Sequence, residues 1–188
     1  AQLLARRPGL QILDVRGNVP TRISRLDRGD FDAIVLARAG LARLGLLDRI
    51  AEVLGADVVV PAVGQAALAV QTRAADTRVL SLVAALDHLP TRLATCAERA
   101  LLARLEGGCQ VPIGALATWR DDVLVMNAVV ADLDGRTAVR ESAEAAVQHE
   151  DDARAMGVSL AERLLASGAG AILARVAAAS GGAGTPVD

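Results

Sequence analysis

The chain has 188 residues, 53% of them apolar but only 1% aromatic, and a formal net charge of −2 at pH 7. A chain of this length buries about two thirds of its unfolded surface, so its core must be built from Leu, Val, Ile and Ala. All 20 basic residues are arginine. This indicates either guanidinium groups that bind carboxylates and phosphates or a genome that prefers arginine codons. The near-neutral charge and the scarcity of aromatic residues argue against nucleic-acid binding.

The cysteines and histidines suggest no metal site. Cys96 and Cys109 form no C-x-x-C pair, and the two histidines, His88 and His149, are distant in sequence, so neither zinc nor a disulfide framework is indicated. No uninterrupted run of 18 apolar residues and no signal-peptide pattern occurs. We therefore expect a protein of the reducing cytoplasm without a membrane span.

The first half of the chain alternates short apolar strands with helices. Residues 1–8 predict the last turns of a helix that Pro8 and Gly9 end, so we expect further sequence before them. Strands are predicted at 11–15, 33–37 and 57–60, and helices at 21–28 and 41–54, the latter broken at Gly45. Such alternation predicts a sheet covered by helices.

A second pattern begins after the run Pro61-Ala62-Val63-Gly64-Gln65, which is a candidate crossing between domains. A strand is expected at 67–72 and helices at 77–87 and 91–105, the last with Leu93, Ala97, Leu101 and Leu105 on one face. Strands at 113–119, 123–131 and 137–145 predict an antiparallel meander, whose second turn contains Asp134 and Gly135. Helices at 151–165 and 171–179 follow, and the tail 180–188 is expected to be disordered.

The segment Leu-Glu-Gly-Gly-Cys-Gln-Val-Pro-Ile-Gly, residues 105–114, presents Cys109 between a helix end and a strand. Gly107 and Gly108 permit close backbone approach to something bound. A lone loop cysteine is most often a small apolar filler, and its spacing alone decides nothing. The ten-residue run, however, resembles the cofactor-attachment motif of porphobilinogen deaminases, in which Cys109 falls on the modified cysteine.

A second resemblance lies in Arg16-Gly17-Asn18-Val19-Pro20-Thr21-Arg22, at the start of a predicted helix. Backbone N–H groups at a helix start and arginine forks together suit anion capture, although two surface arginines near a turn explain the pattern equally well. The resemblance implies that Arg16 and Arg22, supported by Gly17, hold acetate and propionate arms of pyrroles. Arg43 matches a further basic position, and Gln65 lies near the crossing, where the family usually has Gly in place of Ala66.

The resemblance also implies a fold. It indicates part of a periplasmic-binding-protein-like α/β domain pair, followed by a C-terminal α+β domain with a three-stranded antiparallel sheet and helices. Residues 1–63 would form most of the second α/β domain, and 64–87 a crossing strand and helix of the first. Residues 88–179 would form the cofactor-bearing C-terminal domain.

The implied activity is that of hydroxymethylbilane synthase in tetrapyrrole and haem biosynthesis. Members of this family condense four porphobilinogen molecules into hydroxymethylbilane, with release of ammonia, on a dipyrromethane primer bonded to the cysteine. No catalytic residue is assigned within this chain, since the family's carboxylate is expected upstream and neither Asp14 nor Asp32 matches it. We expect a monomer that lacks its N-terminal portion and is inactive alone.

Two other functions remain open. The chain could be a non-catalytic module that binds anions or tetrapyrroles through its arginines. It could also be a transport-type binding protein, because the implied α/β domains resemble periplasmic anion binders, although the cysteine motif argues against this.

Overall fold

The computed structural model describes residues 1–65, 67–105 and 112–181. Single 3₁₀ turns occupy Leu47–Arg49 and Ala84–Leu86. The helices are α1 (Gln2–Arg6), α2 (Val19–Asp27), α3 (Arg38–Arg43), α4 (Thr77–Val83), α5 (Leu89–Arg104), α6 (Glu150–Leu164) and α7 (Gly170–Gly181). The strands are β1 (Ile113–Arg120), β2 (Val123–Ala131) and β3 (Ala138–Ala146). The chain divides into two compact units, one of residues 9–55 and the other of residues 1–8 with the chain from 56 onward.

The larger unit contains an antiparallel sheet in the order β1-β2-β3. Its central strand β2 pairs Val130 with Ile113 on one side and with Val139 on the other. The turn between β2 and β3 is closed by the Asp132 N–H, which donates to the Thr137 carbonyl at 2.8 Å. The sequence predicted this meander, and the structure confirms it.

Helices α5, α6 and α7 cover one face of the sheet and form the main core with it. Helices contribute core residues three or four positions apart, and β2 contributes every second residue. The largest fully buried side chains of this core are Leu101, Leu124, Met126, Leu160, Leu164 and Ile172. Helices α5 and α6 touch at Gly157, where an added Cβ would overlap the carbonyl oxygen of Ala97. On the other face of the sheet, Val129 and Ala131 pack against Val60.

One helical run among the described residues, Glu150–Ala179, is long and apolar enough by length and composition to cross a membrane. It consists of two helices, because Gly168 interrupts it with a left-handed φ of 101°. Leu160 and Ile172, one from each helix, lie in the main core. The run therefore has the burial of core helices packed on a sheet.

The smaller unit, residues 9–55, is built around α2 and α3. Asn18 begins α2, since its side-chain oxygen accepts from the Thr21 N–H at 3.0 Å and so satisfies one free donor of the first turn. The buried apolar residues of this unit are Ile23 and Leu41. The two helices meet where a Cβ at Gly40 would lie 3.4 Å from Val19 Cγ2.

Four strand predictions are wrong as stated: residues 11–15, 33–37, 57–60 and 67–72 form no ladder with any described residue. A strand exists only when a neighbour satisfies its N–H and C=O groups, and here those neighbours are lacking. At Val60 a side chain takes the place of a neighbouring strand. The Val60 N–H donates to Gln2 Oε1 and its C=O accepts from Gln2 Nε2, at 2.8 Å each.

Most helix predictions are confirmed within a few residues at each end. The exception is 41–54, which is divided into α3 and the turn Leu47–Arg49 and is not helical beyond it. The left-handed Gly45, with φ 69°, ends the first piece. The predicted tail 180–188 lies outside the described residues from 182 onward, since α7 extends to Gly181.

Candidate functional site

The predicted attachment cysteine, Cys109, lies with Gly107 and Gly108 in residues 106–111, outside the described part of the chain. Described, buried residues lie within two positions of each end of this segment. Leu105 follows α5 with 4% of its surface exposed, and Ile113 opens β1 with 9% exposed; both belong to the main core. The segment that carries Cys109 therefore begins and ends at fixed points of one packed unit.

The predicted arginine loop lies at the start of α2. The Arg22 Nε–H donates to the Gly17 carbonyl at 2.8 Å, so the side chain folds back over the loop. Gly17 has a φ of 112°, and a Cβ there would lie 3.0 Å from Thr21 Cγ2. Only glycine adopts this conformation at low cost, so position 17 has a steric requirement for glycine.

Apart from Arg22, the arginines of the smaller unit fall into two groups. Arg25, Arg28 and Arg49 are used in ion pairs with Asp30 or Asp27. Arg16, Arg38 and Arg43, by contrast, are exposed and form no side-chain hydrogen bond or ion pair with the described residues. Their guanidinium groups are available to an anionic ligand.

Arg43 lies at the end of α3, a helix that approaches the start of α2 at Gly40. It is three positions after Gly40, and residues three apart share a helix face. Gly40 is the residue that approaches Val19, in the first turn of α2. The structure thus places α3, which carries Arg43, beside the first residue of α2, the helix that carries Arg22.

The crossing segment Pro61–Gln65 is held in the larger unit by backbone contacts. The Gly64 N–H donates to Glu98 Oε2 at 2.7 Å, and the Ala117 N–H of β1 donates to Glu98 Oε1 at 2.8 Å. Gln65 itself is exposed and closes a turn, with its N–H 3.1 Å from the Ala62 carbonyl. Ala66 is outside the described residues.

Glu98 is the residue that the sequence analysis did not single out. It is only 5% exposed and is the buried charged residue among those described. Burial raises the pKa of its carboxyl, and the N–H groups of Ala117 and Gly64 act in the opposite direction. A signal was present in the sequence, because Glu98 falls four residues after Ala94 and three before Leu101, inside an apolar stripe where an acid is unexpected.

The remaining polar candidates have local structural roles. His88 precedes α5, and its Nδ1 lies 2.8 Å from the Thr91 hydroxyl. His149 precedes α6, and its backbone N–H donates to the Asp152 carboxylate at 3.0 Å. Asp14 and Asp32 are exposed, and no group of three potential metal ligands occurs in the described ranges.

Two family models match the chain. Residues 1–81 match the model described as porphobilinogen deaminase, dipyromethane cofactor binding domain. Residues 92–166 match the model described as porphobilinogen deaminase, C-terminal domain. The chain belongs to the porphobilinogen deaminase family. Arg16, Arg22, Arg43 and Gln65 fall within the first match, and Glu98 and Cys109 within the second.

Relatives in this family are similar over nearly the whole chain. A porphobilinogen deaminase of Desulforudis audaxviator (strain MP104C) is 56% identical over 180 residues, which are 95% of this chain and 57% of the relative. The porphobilinogen deaminase of Moorella thermoacetica is 51% identical over 96% of this chain and 57% of the relative. The chain therefore spans somewhat more than half the length of the relatives that it matches.

Proposed function

We propose that this chain is the C-terminal portion of a porphobilinogen deaminase and that it carries a dipyrromethane on Cys109 through a thioether. The proposal is carried by one observation: residues 1–81 match the dipyromethane cofactor-binding domain, and they include exposed arginines, Arg16 and Arg43 among them, whose guanidinium groups have no partner among the described residues. In this proposal the complete enzyme condenses four porphobilinogen molecules into hydroxymethylbilane, with loss of ammonia, in the cytoplasm.

The residues fit such a cofactor chemically. A dipyrromethane has acetate and propionate arms, and arginine forks bind carboxylates by paired, charge-assisted hydrogen bonds. Arg16 and Arg43 have all their donors available, and Arg22 uses its Nε on Gly17, which leaves its terminal nitrogens. We assign the arms to these three arginines and place Gln65 beside the crossing.

Each group has a separate task in the proposed reaction. When bound, the dipyrromethane supplies the pyrrole to which the first substrate unit is joined. The Cys109 sulfur tethers the product chain, which raises its effective concentration and prevents early release. The arginines offset the carboxylate charge that accumulates as units are added. The carboxylate that stabilises the positive charge left by ammonia loss is proposed to lie in the portion of the enzyme outside this chain.

We further propose that an N-terminal portion completes the fold. Leu68 is 97% exposed and Val70 59%, while in the smaller unit Leu13 is 64% exposed and Val35 58%. These residues lie in three of the extended segments that lack ladder partners. Strands from the N-terminal portion would pair with them and complete a periplasmic-binding-protein-like pair of α/β domains, to which 1–63 and 64–87 contribute. Residues 88–179 form the cofactor-bearing domain, and the complete enzyme is monomeric.

The test is the mass of the Cys109 peptide. The chain is produced together with its N-terminal portion in cells that make porphobilinogen, and the purified protein is digested and analysed by mass spectrometry. We expect the mass of a dipyrromethane on the Cys109 peptide and none on the Cys96 peptide. Cys109→Ser should abolish the added mass and hydroxymethylbilane formation, whereas Cys96→Ser should change neither.

The second test uses the isolated 188-residue chain. It should form no hydroxymethylbilane, since the proposed carboxylate is lacking. An unmodified Cys109 in an active complete enzyme would overturn the proposed attachment. A protein that binds porphobilinogen but releases no ammonia, in the presence of the N-terminal portion, would instead indicate a non-catalytic binding module.

A further inference from the structure

The edge of β1 that faces away from β2 is covered by two different groups, a backbone carbonyl and a side-chain carboxylate. Alternate residues of a strand direct their N–H groups to the same edge, and Ala115 and Ala117 direct theirs away from β2. The Ala115 N–H donates to the Pro61 carbonyl at 3.0 Å, as in a strand pair. Two residues later the Ala117 N–H donates to Glu98 Oε1 at 2.8 Å instead. A side chain from α5 therefore continues the ladder where the crossing segment leaves it.

The second carboxylate oxygen of Glu98 binds the segment that leaves. Its Oε2 accepts from the Gly64 N–H at 2.7 Å. The segment approaches β1 so closely that a Cβ at Gly114 would lie 2.6 Å from the Val60 carbonyl oxygen. One buried carboxylate thus joins three pieces of chain: α5, β1 and the crossing segment.

We propose that Glu98 is a positioning residue that fixes the crossing segment Pro61–Gln65 to the two elements from which the Cys109 segment extends. Helix α5 leads into that segment and β1 follows it, so the bond from Glu98 to Ala117 joins the two flanks. The bond to Gly64 fixes the position of the neighbouring Gln65 relative to α5 and β1. The effect of Glu98 on the cofactor rests on the proposed function. The joining of α5, β1 and the crossing segment by Glu98, which we call the clamp, rests on the structure alone.

The chemistry explains why the residue must be an acid. Two N–H donors approach from different segments, and an ionised carboxylate offers an acceptor to each. A glutamine of the same size offers one acceptor, and its NH₂ group would face the other donor. Leaving a buried donor unpaired is costly, so Glu98→Gln should release one of the two segments while the apolar packing of α5 is retained.

The first test measures amide hydrogen exchange in the 188-residue chain. In the unaltered protein we expect the Gly64 and Ala117 amides to be protected. Glu98→Gln should accelerate exchange at one or both by at least about tenfold, equivalent to about 1.4 kcal/mol of local opening. Glu162→Gln is the matched control, because Glu162 is exposed and its only recorded partner among the described residues is Arg104; it should leave both amides unchanged.

The second test separates positioning from stability, in the chain produced with its N-terminal portion. Ile172→Val removes one buried methylene from α7, far in sequence from the clamp, and serves as a control with reduced stability. We expect Glu98→Gln to lower the rate of hydroxymethylbilane formation severalfold and Ile172→Val to leave it unchanged.

The outcomes separate the two proposals. Unprotected Gly64 and Ala117 amides in the unaltered chain, or equal protection in Glu98→Gln, would overturn the clamp. A rate that falls equally in Glu98→Gln and Ile172→Val would overturn the positioning role. If the unaltered complete enzyme acquires no mass on Cys109 and makes no product, the proposed function fails and the positioning role with it, while the exchange result still decides the clamp.

Discussion

The unit that contains the sheet and the unit of residues 9–55 are similarly rich in aliphatic residues but have very different cores. In the former, three helices and three strands bury large side chains such as Leu101, Leu124 and Met126 completely. In the latter, the buried apolar residues are Ile23 and Leu41, while Leu13 and Val35 are more than half exposed. Apolar content alone does not make a core, because each apolar face also needs a partner surface.

The difference follows from how far apart in sequence the partners lie. Strands β1, β2 and β3 follow one another directly, so two short turns let them pair antiparallel within about 35 residues. The segments predicted as strands in 9–55 are separated by helices, and that pattern belongs to parallel sheets whose neighbours come from elsewhere in a chain. The chain spans 57% of its Desulforudis audaxviator relative, and the proposed N-terminal portion would supply such neighbours.

The largest expected effect is on the α5–α6 contact of the sheet-containing unit. Gly157→Ala would place a Cβ onto the Ala97 carbonyl oxygen, and Ala100 Cβ lies only 3.0 Å from it. The helices must separate, because backbone cannot yield as a flexible side chain can. We expect a loss of at least ~4 kcal/mol in the free energy of unfolding, measured by urea denaturation with Trp119 fluorescence as the reporter.

Gly170→Ala is the matched control for this change. A Cβ at Gly170 would have Leu165 Cδ2 as its nearest neighbour, at 3.8 Å, and the residue has an ordinary helical φ of −56°. Alanine is favoured over glycine in helices, so a gain of up to about 1 kcal/mol is expected. Equal destabilisation by the two substitutions would show that the close approach of α5 and α6 is not what matters.

A pair of leucine truncations tests the comparison between the units directly. Leu101→Ala removes a fully buried side chain from the main core and should cost about 3 kcal/mol. Leu41→Ala, in the smaller unit, should leave the transition reported by Trp119 unchanged, because Trp119 lies in β1 and donates to the Pro90 carbonyl at 2.9 Å. A large shift with Leu41→Ala would mean that the two units unfold together.

The smallest expected effect is the pH dependence of Asp152. The backbone N–H groups of Gln148 and His149 hold the pKa of its carboxyl below the ordinary value. Its contribution to stability is therefore present above the unfolded pKa of about 4 and is lost as the pH falls through the lowered value. The stability difference between the unaltered chain and Asp152→Asn, from urea curves at pH 7 and pH 3, should shrink at pH 3.

Glu98 should show the opposite sign. Because burial raises the pKa of its carboxyl in the folded chain, its contribution is fully present below the unfolded pKa and is lost as the pH rises through the raised value. The stability of the unaltered chain relative to Glu98→Ala, which has no titrating group at this position, should therefore decline from about pH 4 upward. A difference that rises over this range would contradict the inference that desolvation outweighs the two N–H bonds.

The local elements could be predicted because their signals are local. Alternation and turn residues such as Asp134 and Gly135 predicted the meander, and spacing by four predicted the buried face of α5. The resemblance in residues 105–114 identified Cys109, and that in 16–22 identified the arginine loop. The four unpaired strands were mispredicted because strand propensity reports what a segment would do beside a neighbour, and the sequence of the segment does not supply one.

By itself, then, the sequence determined the family, most of the helices, the meander and the arginine and cysteine candidates, all of which depend on residues close together along the chain. Only the tertiary structure decided that Glu98 joins Gly64 to Ala117, that α5 and α6 require a glycine at 157, and that Arg16 and Arg43 stand apart from the arginines used in ion pairs. Each of these depends on atoms distant in sequence meeting at a few ångströms, and the period of a helix or strand carries no information about such meetings.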